Sequence, residues 1–291
     1  MSAYFSAVGS TVLGNGFSLV EFEHRHLAAA VELSAALQWP YRPEDWQFAF
    51  ALGRGVVIED AGHLIATAMW WPVGQAHATF GMVIVSPALQ GRGFGQQLML
   101  ELLRQTEGRT VFLNSTREGY RLYERLGFTP NGRTHQHQAV LHEALPHISE
   151  VKVEIAQPDD FEAIASLDER ALGFSRRDLL VALSSMGKFS VVKRDHVVRG
   201  YACSRRFGRG YVVGPVVADG VADAKILIQD AASRLTGEFV RIDVPDESEL
   251  SSWLEMAGLP QVGEVVSMSR GQRPMDCCRE RVFALANQSF G

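Results

Sequence analysis

The sequence predicts an α/β (α+β) protein of two tandem domains, each a mixed, mostly antiparallel sheet flanked by helices. Three observations carry this. The chain has 291 residues, about two domains' worth. Short runs rich in valine, isoleucine and aromatics alternate with amphipathic stretches. The second half repeats the element order of the first.

Residues 1–16 hold a mild apolar stretch with no basic segment before it, a poor signal peptide, and are expected to form a disordered or draping tail. The first domain is placed at 17–142. FSLVEFE (17–23) is a strand and 26–37 has helical spacing. Pro43 opens a helix over 44–52 that Gly53 breaks. Strands 55–60 and 63–71 flank an Asp60-Ala61-Gly62 turn. Alternation points one of Trp70 and Trp71 inward and the other outward. Strand 77–85, helix 95–107, strand 110–113, helix 118–126 and strands 128–129 and 134–141 complete this half. Residues 143–150, with Pro146, form the linker to a domain at 151–291.

The second half places strands at 151–156, 190–195, 197–207, 210–217, 238–244 and 264–271. Helices fall at 159–172, 176–186, 221–235 and 247–257, and 273–291 is expected to dock as a short helix.

Composition narrows the function. The net charge of −5 and acidic balance argue against a general nucleic-acid binder. A mild acidic balance suits a cationic amine. No apolar run approaches the ~18–20 residues of a membrane span. Three cysteines, Cys203 and the adjacent Cys277 and Cys278, are not a disulfide framework, and no Cys/His spacing matches a metal site. The expectation is a cytoplasmic protein with no metal, no nucleic acid and no membrane partner, a monomer or homodimer.

The sharpest chemistry lies in 83–97, VIVSPALQGRGFGQQ. A strand runs into a glycine-rich loop and then a helix start. Unpaired amides and the helix dipole favour negative charge there, and glycines let a ligand approach the backbone. The loop lacks the lysine of GxxxxGK[ST], and its glycines at 91, 93 and 95 do not fit GxGxxG. The alternative is an ordinary strand–helix connection.

Gln90, Gly93 and Gly95 fill a Q/R-x-x-G-x-G/A pattern, and Tyr123, Gly127 and Phe128 a Tyr-x-x-x-Gly-Phe pattern. In this order and spacing they resemble the GNAT (Gcn5-related) N-acetyltransferases. GFSRRDLL, GPVVAD and LEMAGL in the second half resemble the degenerate domain of tandem-GNAT bacterial proteins. The resemblance implies two GNAT-like domains, the first binding acetyl-CoA as acyl donor. It places pantetheine on the main chain of Val83 and Val85, and pyrophosphate on Gln90, Gly91, Arg92, Gly93, Phe94, Gly95 and Gln96. Thr116 lies beside the cofactor, with Ser115 the expected helix cap. Tyr123, otherwise a packed helix tyrosine, protonates the leaving thiolate.

The general base stays open. The position at which some family members carry glutamate is Thr79 here, which leaves His77, His135, His137 or a water relay. Trp39, Tyr41, Asp45 and Trp46, with His135, are the candidate acceptor contacts, Asp45 orienting the amine. The tryptophans could equally pin the helices. Arg176 either joins the pocket or forms a surface salt bridge. In the second half Leu254 aligns with Tyr123, and Asp219 to Asp223 with Gly91 to Gly95. Two carboxylates there would repel pyrophosphate, so only the first domain is expected to hold acetyl-CoA. The activity implied is N-acetyl transfer from acetyl-CoA to a primary amine of a small molecule or amino acid derivative. The alternative is an acyl-CoA-binding sensor or scaffold without turnover.

Overall fold

The computed structural model describes residues 11–14, 16–145, 151–272 and 280–291. The strands, in chain order, are β1 (Thr11–Gly14), β2 (Phe17–Glu21), β3 (Arg54–Asp60), β4 (His63–Val73), β5 (His77–Val85), β6 (Thr110–Ser115) and β7 (Thr129–Val140). Then follow β8 (Val153–Ile155), β9 (Gly187–Arg194), β10 (Val197–Phe207), β11 (Gly210–Ala218), β12 (Phe239–Pro245), β13 (Gln261–Arg270) and β14 (Arg281–Ala284). The helices are α1 (Leu27–Ala36), α2 (Pro43–Leu52), α3 (Phe94–Gln105), α4 (Tyr120–Arg125), α5 (Phe161–Leu172), α6 (Arg177–Ser184), α7 (Val221–Ser233) and α8 (Ser251–Met256). None of the described helices is long and apolar enough to cross a membrane.

The chain divides into two compact units. The first takes the residues up to Pro72 together with Phe80–Arg109; the second takes Val73–Thr79 together with Thr110–Gly291. Strand β5 contributes to both, its first three residues to the second unit and the rest to the first.

In the first unit β1 to β5 lie in sequence order. Thr11–Gly14 is not part of a loose tail, because it pairs antiparallel with β2 as an edge strand. Both faces of β4 are covered, so neither tryptophan points outward. The Trp70 indole N–H donates to Gln105 of α3 at 2.8 Å, and the Trp71 indole N–H donates to the Ala49 carbonyl of α2 at 2.8 Å. Leu98, Met99 and Leu102 give α3 its buried stripe. Trp46 is wholly buried, stacked on Phe22 at 5.8 Å, with its indole N–H on Ser34 at 3.1 Å.

In the second unit the strand order is β6-β13-β7-β12-β11-β10-β9-β8, with β14 also on β11. The two halves of the sequence exchange strands. β7 lies between β12 and β13, with His135 opposite both Val244 and Glu264. β13 lies between β6 and β7, with Ser267 opposite both Asn114 and Gly132. β7 is one continuous strand rather than two, because β12 and β13 pair along it. The last residues form a strand, not a helix: β14 is antiparallel to β11, and Phe283 joins the core of Val213, Leu227, Ile242 and Leu254. Most of the linker and Cys277 and Cys278 lie outside the described residues.

Replacing Trp46 with alanine removes the largest fully buried side chain and leaves the Ser34 hydroxyl without its donor. Thermal or urea denaturation is expected to show a loss of about 3–5 kcal/mol. A loss under about 1 kcal/mol would mean that this side chain does not pin α2.

Candidate functional site

In the first unit the strand-to-helix connection begins with a distortion that nothing in the sequence signals. Met82, inside β5, has φ 51, and the Thr67 hydroxyl donates to its carbonyl at 2.8 Å. A non-glycine residue at positive φ within a strand is costly and re-aims the residues after it. Beyond it, Met82 and Ile84 are buried while Val83 and Val85 are half-buried. Ser86 N–H anchors the strand end to the Ile65 carbonyl at 2.8 Å. The Gln90 side chain is committed to the loop itself, donating to the Val85 carbonyl at 3.2 Å.

The loop is open where it turns. Gly91 and Gly93 have φ +77 and +86, and a Cβ at either would meet nothing within 4 Å. Gly93 caps α3, whose first internal bond runs from Gln97 N–H to the Gly93 carbonyl at 3.1 Å. The amides of Gly91 to Gln96 donate to no group among the described residues. Phe94 contributes only its amide, since its ring is buried against Phe17 at 4.8 Å. The Arg92 guanidinium lies 5.1 Å from the Phe17 ring and 5.6 Å from that of Phe94, and it has no carboxylate partner among the described residues. Six free amides, a helix N-terminus and one uncommitted cation suit a phosphate or pyrophosphate. The second half has no counterpart: Gly220 has φ −167, and Asp219 and Asp223 are ion-paired with Arg199 and Arg194 at 3.5 and 2.5 Å.

The acceptor contacts expected in this unit fare differently. Asp45 is a correction. Its carboxylate is buried and takes the Arg42 backbone N–H at 3.0 Å and two guanidinium N–H groups at 3.1 and 2.9 Å, capping α2. A carboxylate so engaged is not available to orient an amine. Trp46 is a second correction, because a core indole has no face for an ammonium. Trp39 and Tyr41 are half-buried neighbours with ring centroids 6.3 Å apart.

In the second unit the tyrosine motif resolves into a helix cap. The Phe128 N–H donates to the Tyr123 carbonyl at 3.1 Å, and the Gly127 N–H to that of Glu124 at 3.0 Å, with Gly127 at φ +85. That is a Schellman motif, whose hydrophobic contact is the edge-on packing of Tyr123 and Phe128 at 6.1 Å. Gly119 is required because a Cβ there would lie 2.9 Å from the Tyr123 ring. Burial pushes the Tyr123 hydroxyl up to about 12, so it keeps its proton at neutral pH, and it has no hydrogen-bond partner among the described residues. The same cap recurs at Leu254, Gly258 and Leu259, with Leu254 in the tyrosine's place. Thr116, not Ser115, serves the entry to α4: its hydroxyl accepts the Gly119 N–H at 3.4 Å, while Ser115 donates to the Thr116 carbonyl.

The same unit holds a cavity of about 470 Å³. Its floor crosses β6, β13 and β7, and the end of α5 and the chain from Glu280 to Gly291 wall it. Thr79 lines it with a buried hydroxyl that has no partner. Asn114 lines it too, donating to the Gln288 carbonyl at 2.9 Å and accepting from Ser267 at 2.8 Å. Arg176 is no surface bridge: it is buried, bidentate to Asp168 at 2.8 Å and 2.8 Å, and donates to Gly291. Burial alone would weaken its hold on the proton, but the Asp168 charge more than offsets this and raises it. Sequence reasoning missed this pocket, since its walls are up to 212 residues apart (79 to 291).

The histidines divide. His137 is buried with both ring nitrogens engaged, on the Leu259 carbonyl at 2.8 Å and Ser251 at 3.1 Å, so it is not a free base. His77 packs against Phe112 and Phe174 at 5.9 and 4.7 Å, in a cluster in which those two rings also touch at 5.6 Å. His135 has Nε2 3.1 Å from Asp246 and Nδ1 3.9 Å from Glu264. Among the described residues no group of three or more His, Cys, Asp or Glu could hold a metal.

Comparison with known proteins adds to this geometry. Two models described as acetyltransferase (GNAT) domains match, one over residues 51–130 and the other over residues 164–284. The uncharacterized N-acetyltransferase YitH of Bacillus subtilis is 26% identical over 282 residues, 94% of this chain and 98% of that protein. A Pyrococcus horikoshii crystal structure matches with a TM-score of 0.79 at 18% identity, over 97% of this chain and 98% of that one. A tandem GNAT protein from the clavulanic acid biosynthesis pathway matches with a TM-score of 0.63 at 13% identity, over 89% of this chain and 100% of that one.

Burial lowers the proton affinity of His137 below the ordinary imidazole value. Its stabilising contribution is complete above the unfolded value, about 6.5, and is lost as pH falls toward the depressed folded value. Melts of the wild type and His137→Gln at about pH 7.5 and about pH 5.5 are expected to show the gap between them narrowing at the lower pH. A constant gap would mean that His137 stays neutral through that range.

Proposed function

Because the chain belongs to the GNAT acetyltransferase family, with two such domains in tandem, and is an acyltransferase, we propose that it moves an acetyl group from acetyl-CoA to a primary amine of a small molecule or amino acid derivative. The observation that carries the donor is the open loop at Gly91 and Gly93, whose six amides and Arg92 have no hydrogen-bond or carboxylate partner among the described residues. Side chains in place of those glycines would fill the approach that a pyrophosphate needs.

The amides of Gly91 to Gln96 hold the pyrophosphate, with Arg92 beside them. The main chain of Val83 and Val85, past the Met82 distortion, pairs with pantetheine, and one N–H there polarises the thioester carbonyl. The neutral amine attacks that carbonyl, the C–S bond breaks, and Tyr123 gives its proton to the departing thiolate. At neutral pH the phenol arrives protonated, as an ordinary tyrosine also does, and its rise to about 12 makes it the weaker acid of the two. The amine's own proton leaves to water, a route that needs neither His137, which is engaged, nor Thr79, which carries no basic group. The second domain, with Leu254 for tyrosine and paired aspartates for glycines, binds no acyl-CoA. Cys203 is buried and free, which suits a reducing compartment, and we assign the enzyme to the cytoplasm.

Calorimetric titration with acetyl-CoA tests the donor site. The wild type is expected to bind one per chain, Gly93→Asp none, and Gly93→Asn, which tolerates left-handed backbone without the charge, an intermediate amount. Two sites per chain would overturn the reading of the second domain, and no binding would overturn the whole.

Tyr123→Phe separates enzyme from sensor. The hydroxyl has no hydrogen-bond partner among the described residues, so melting is expected to be unchanged and acetyl-CoA binding retained. Acetyl transfer is expected to fall about 10²–10⁴-fold in kcat. An unchanged kcat would remove Tyr123 from the chemistry.

A further inference from the structure

We propose that the cavity of the second unit is the acceptor pocket, and that it takes an amine carrying an amino-acid head group, held by Arg281 and Glu247 at the end away from Thr79. This rests on the reading of the protein as an amine acetyltransferase. At about 470 Å³ the cavity is of a size with small-molecule sites, which run from about 300 to 1,000 Å³.

Its charges are the first argument. Arg133, Arg170, Arg176 and Arg281 line it, with Glu247 and Glu280. Three of the arginines are committed to carboxylates: Arg133 to Glu264, Arg170 to Glu280 at 2.7 Å, and Arg176 to Asp168. Arg281 is not. It donates to the Glu247 main-chain carbonyl at 3.3 Å and lies 5.0 Å from the Phe283 ring, with no carboxylate partner among the described residues. The Glu247 carboxylate likewise has no cationic partner among them. The neighbouring Asp246 faces His135 at 3.1 Å.

One wall therefore presents an uncommitted cation and an uncommitted anion, kept close by the contact of Arg281 with the Glu247 main chain. A polyamine would be drawn to Glu247 and repelled by Arg281. A plain anion would meet the reverse. A head group with a carboxylate and an ammonium on one carbon satisfies both, and a guanidinium–carboxylate contact is among the stronger polar contacts available.

The far end supplies the second argument. Thr79 has a hydroxyl that is buried, unpartnered and in the cavity wall. Buried polar groups are nearly always hydrogen-bonded, so an orphan facing a cavity marks a place for a ligand atom. Thr79 belongs to β5, the strand that later carries Val83 and Val85. From the start of β5 the order runs β6, β13, β7, β12, and Glu247 follows β12. Four strand spacings put the two ends about 19 Å apart along the sheet before side chains reach inward. The acceptor is thus elongated: its reacting amine donates to the Thr79 hydroxyl while its head group sits at Arg281 and Glu247. Lysine is the simplest molecule of this kind, with 6-aminohexanoate lacking only the α-amine and cadaverine lacking only the carboxylate.

The test is calorimetric titration of these three into the full chain without acetyl-CoA. Lysine is expected to bind at least tenfold more tightly than either analogue. Arg281→Gln should weaken lysine about tenfold and tighten cadaverine, whose ammonium it no longer repels. Glu247→Gln should weaken lysine and tighten 6-aminohexanoate, whose carboxylate it no longer repels. Both side chains are exposed, and melts will verify that the variants fold. Cadaverine binding as tightly as lysine, lysine failing to bind, or indifference of both variants would overturn the proposal. Because the donor is absent, these outcomes are independent of whether acetyl transfer occurs. Lysine bound but never acetylated would instead strike the reading of the function.

Discussion

The constraint on which the second unit depends is the hydrogen bonding of β7. A strand buried within a sheet must satisfy its amides and carbonyls on both edges, and β7 does so with β12 and β13, neither from its own half of the sequence. β13 returns the exchange by filling the space between β6 and β7. Neither half completes its sheet alone. The cavity follows from this exchange: its floor alternates strands from the two halves, so Asn114 meets Ser267 and Thr134 lies beside Pro245.

Both family motifs of the first half are backbone devices as much as chemical ones. The Tyr-x-x-x-Gly-Phe pattern is a Schellman cap whose two aromatic positions are the hydrophobic contact such a cap carries. Its recurrence with leucine in the second half separates the two roles. The cap persists because the helix end needs it, with or without the phenol. The glycine loop makes the same point by contrast. Gly91 and Gly93 hold left-handed backbone in open space, whereas the second half starts α7 from extended backbone and neutralises its two aspartates with arginines.

The acceptor side obeyed different physics. Asp45 and Trp46 looked like recognition groups because aromatic and acidic residues cluster in 38–46. The fold spends the carboxylate on capping α2 and the indole on the core. Local composition cannot tell a cap from a ligand-binding carboxylate, since both are acidic residues near a helix start. Of the residues that do surround a cavity, Thr79 and Arg176 stand out in the sequence while Glu247 and Arg281 do not, and they come from distant segments.

What the sequence determined by itself is whatever depends on neighbours along the chain. Hydrophobic period placed nearly every strand and helix, glycines at 91, 93 and 95 marked the loop before α3, and internal repetition identified two copies of one plan. The tertiary structure alone decided which strands pair across the halves, that Thr11–Gly14 and Arg281–Ala284 become strands, that Met82 takes positive φ, and which polar groups stay unengaged. Edge pairing is settled by competition among strands far apart in sequence. Availability of a side chain is settled by what lies next to it in space. Neither quantity has a local signal, so the loop was legible before the fold and the pocket was not.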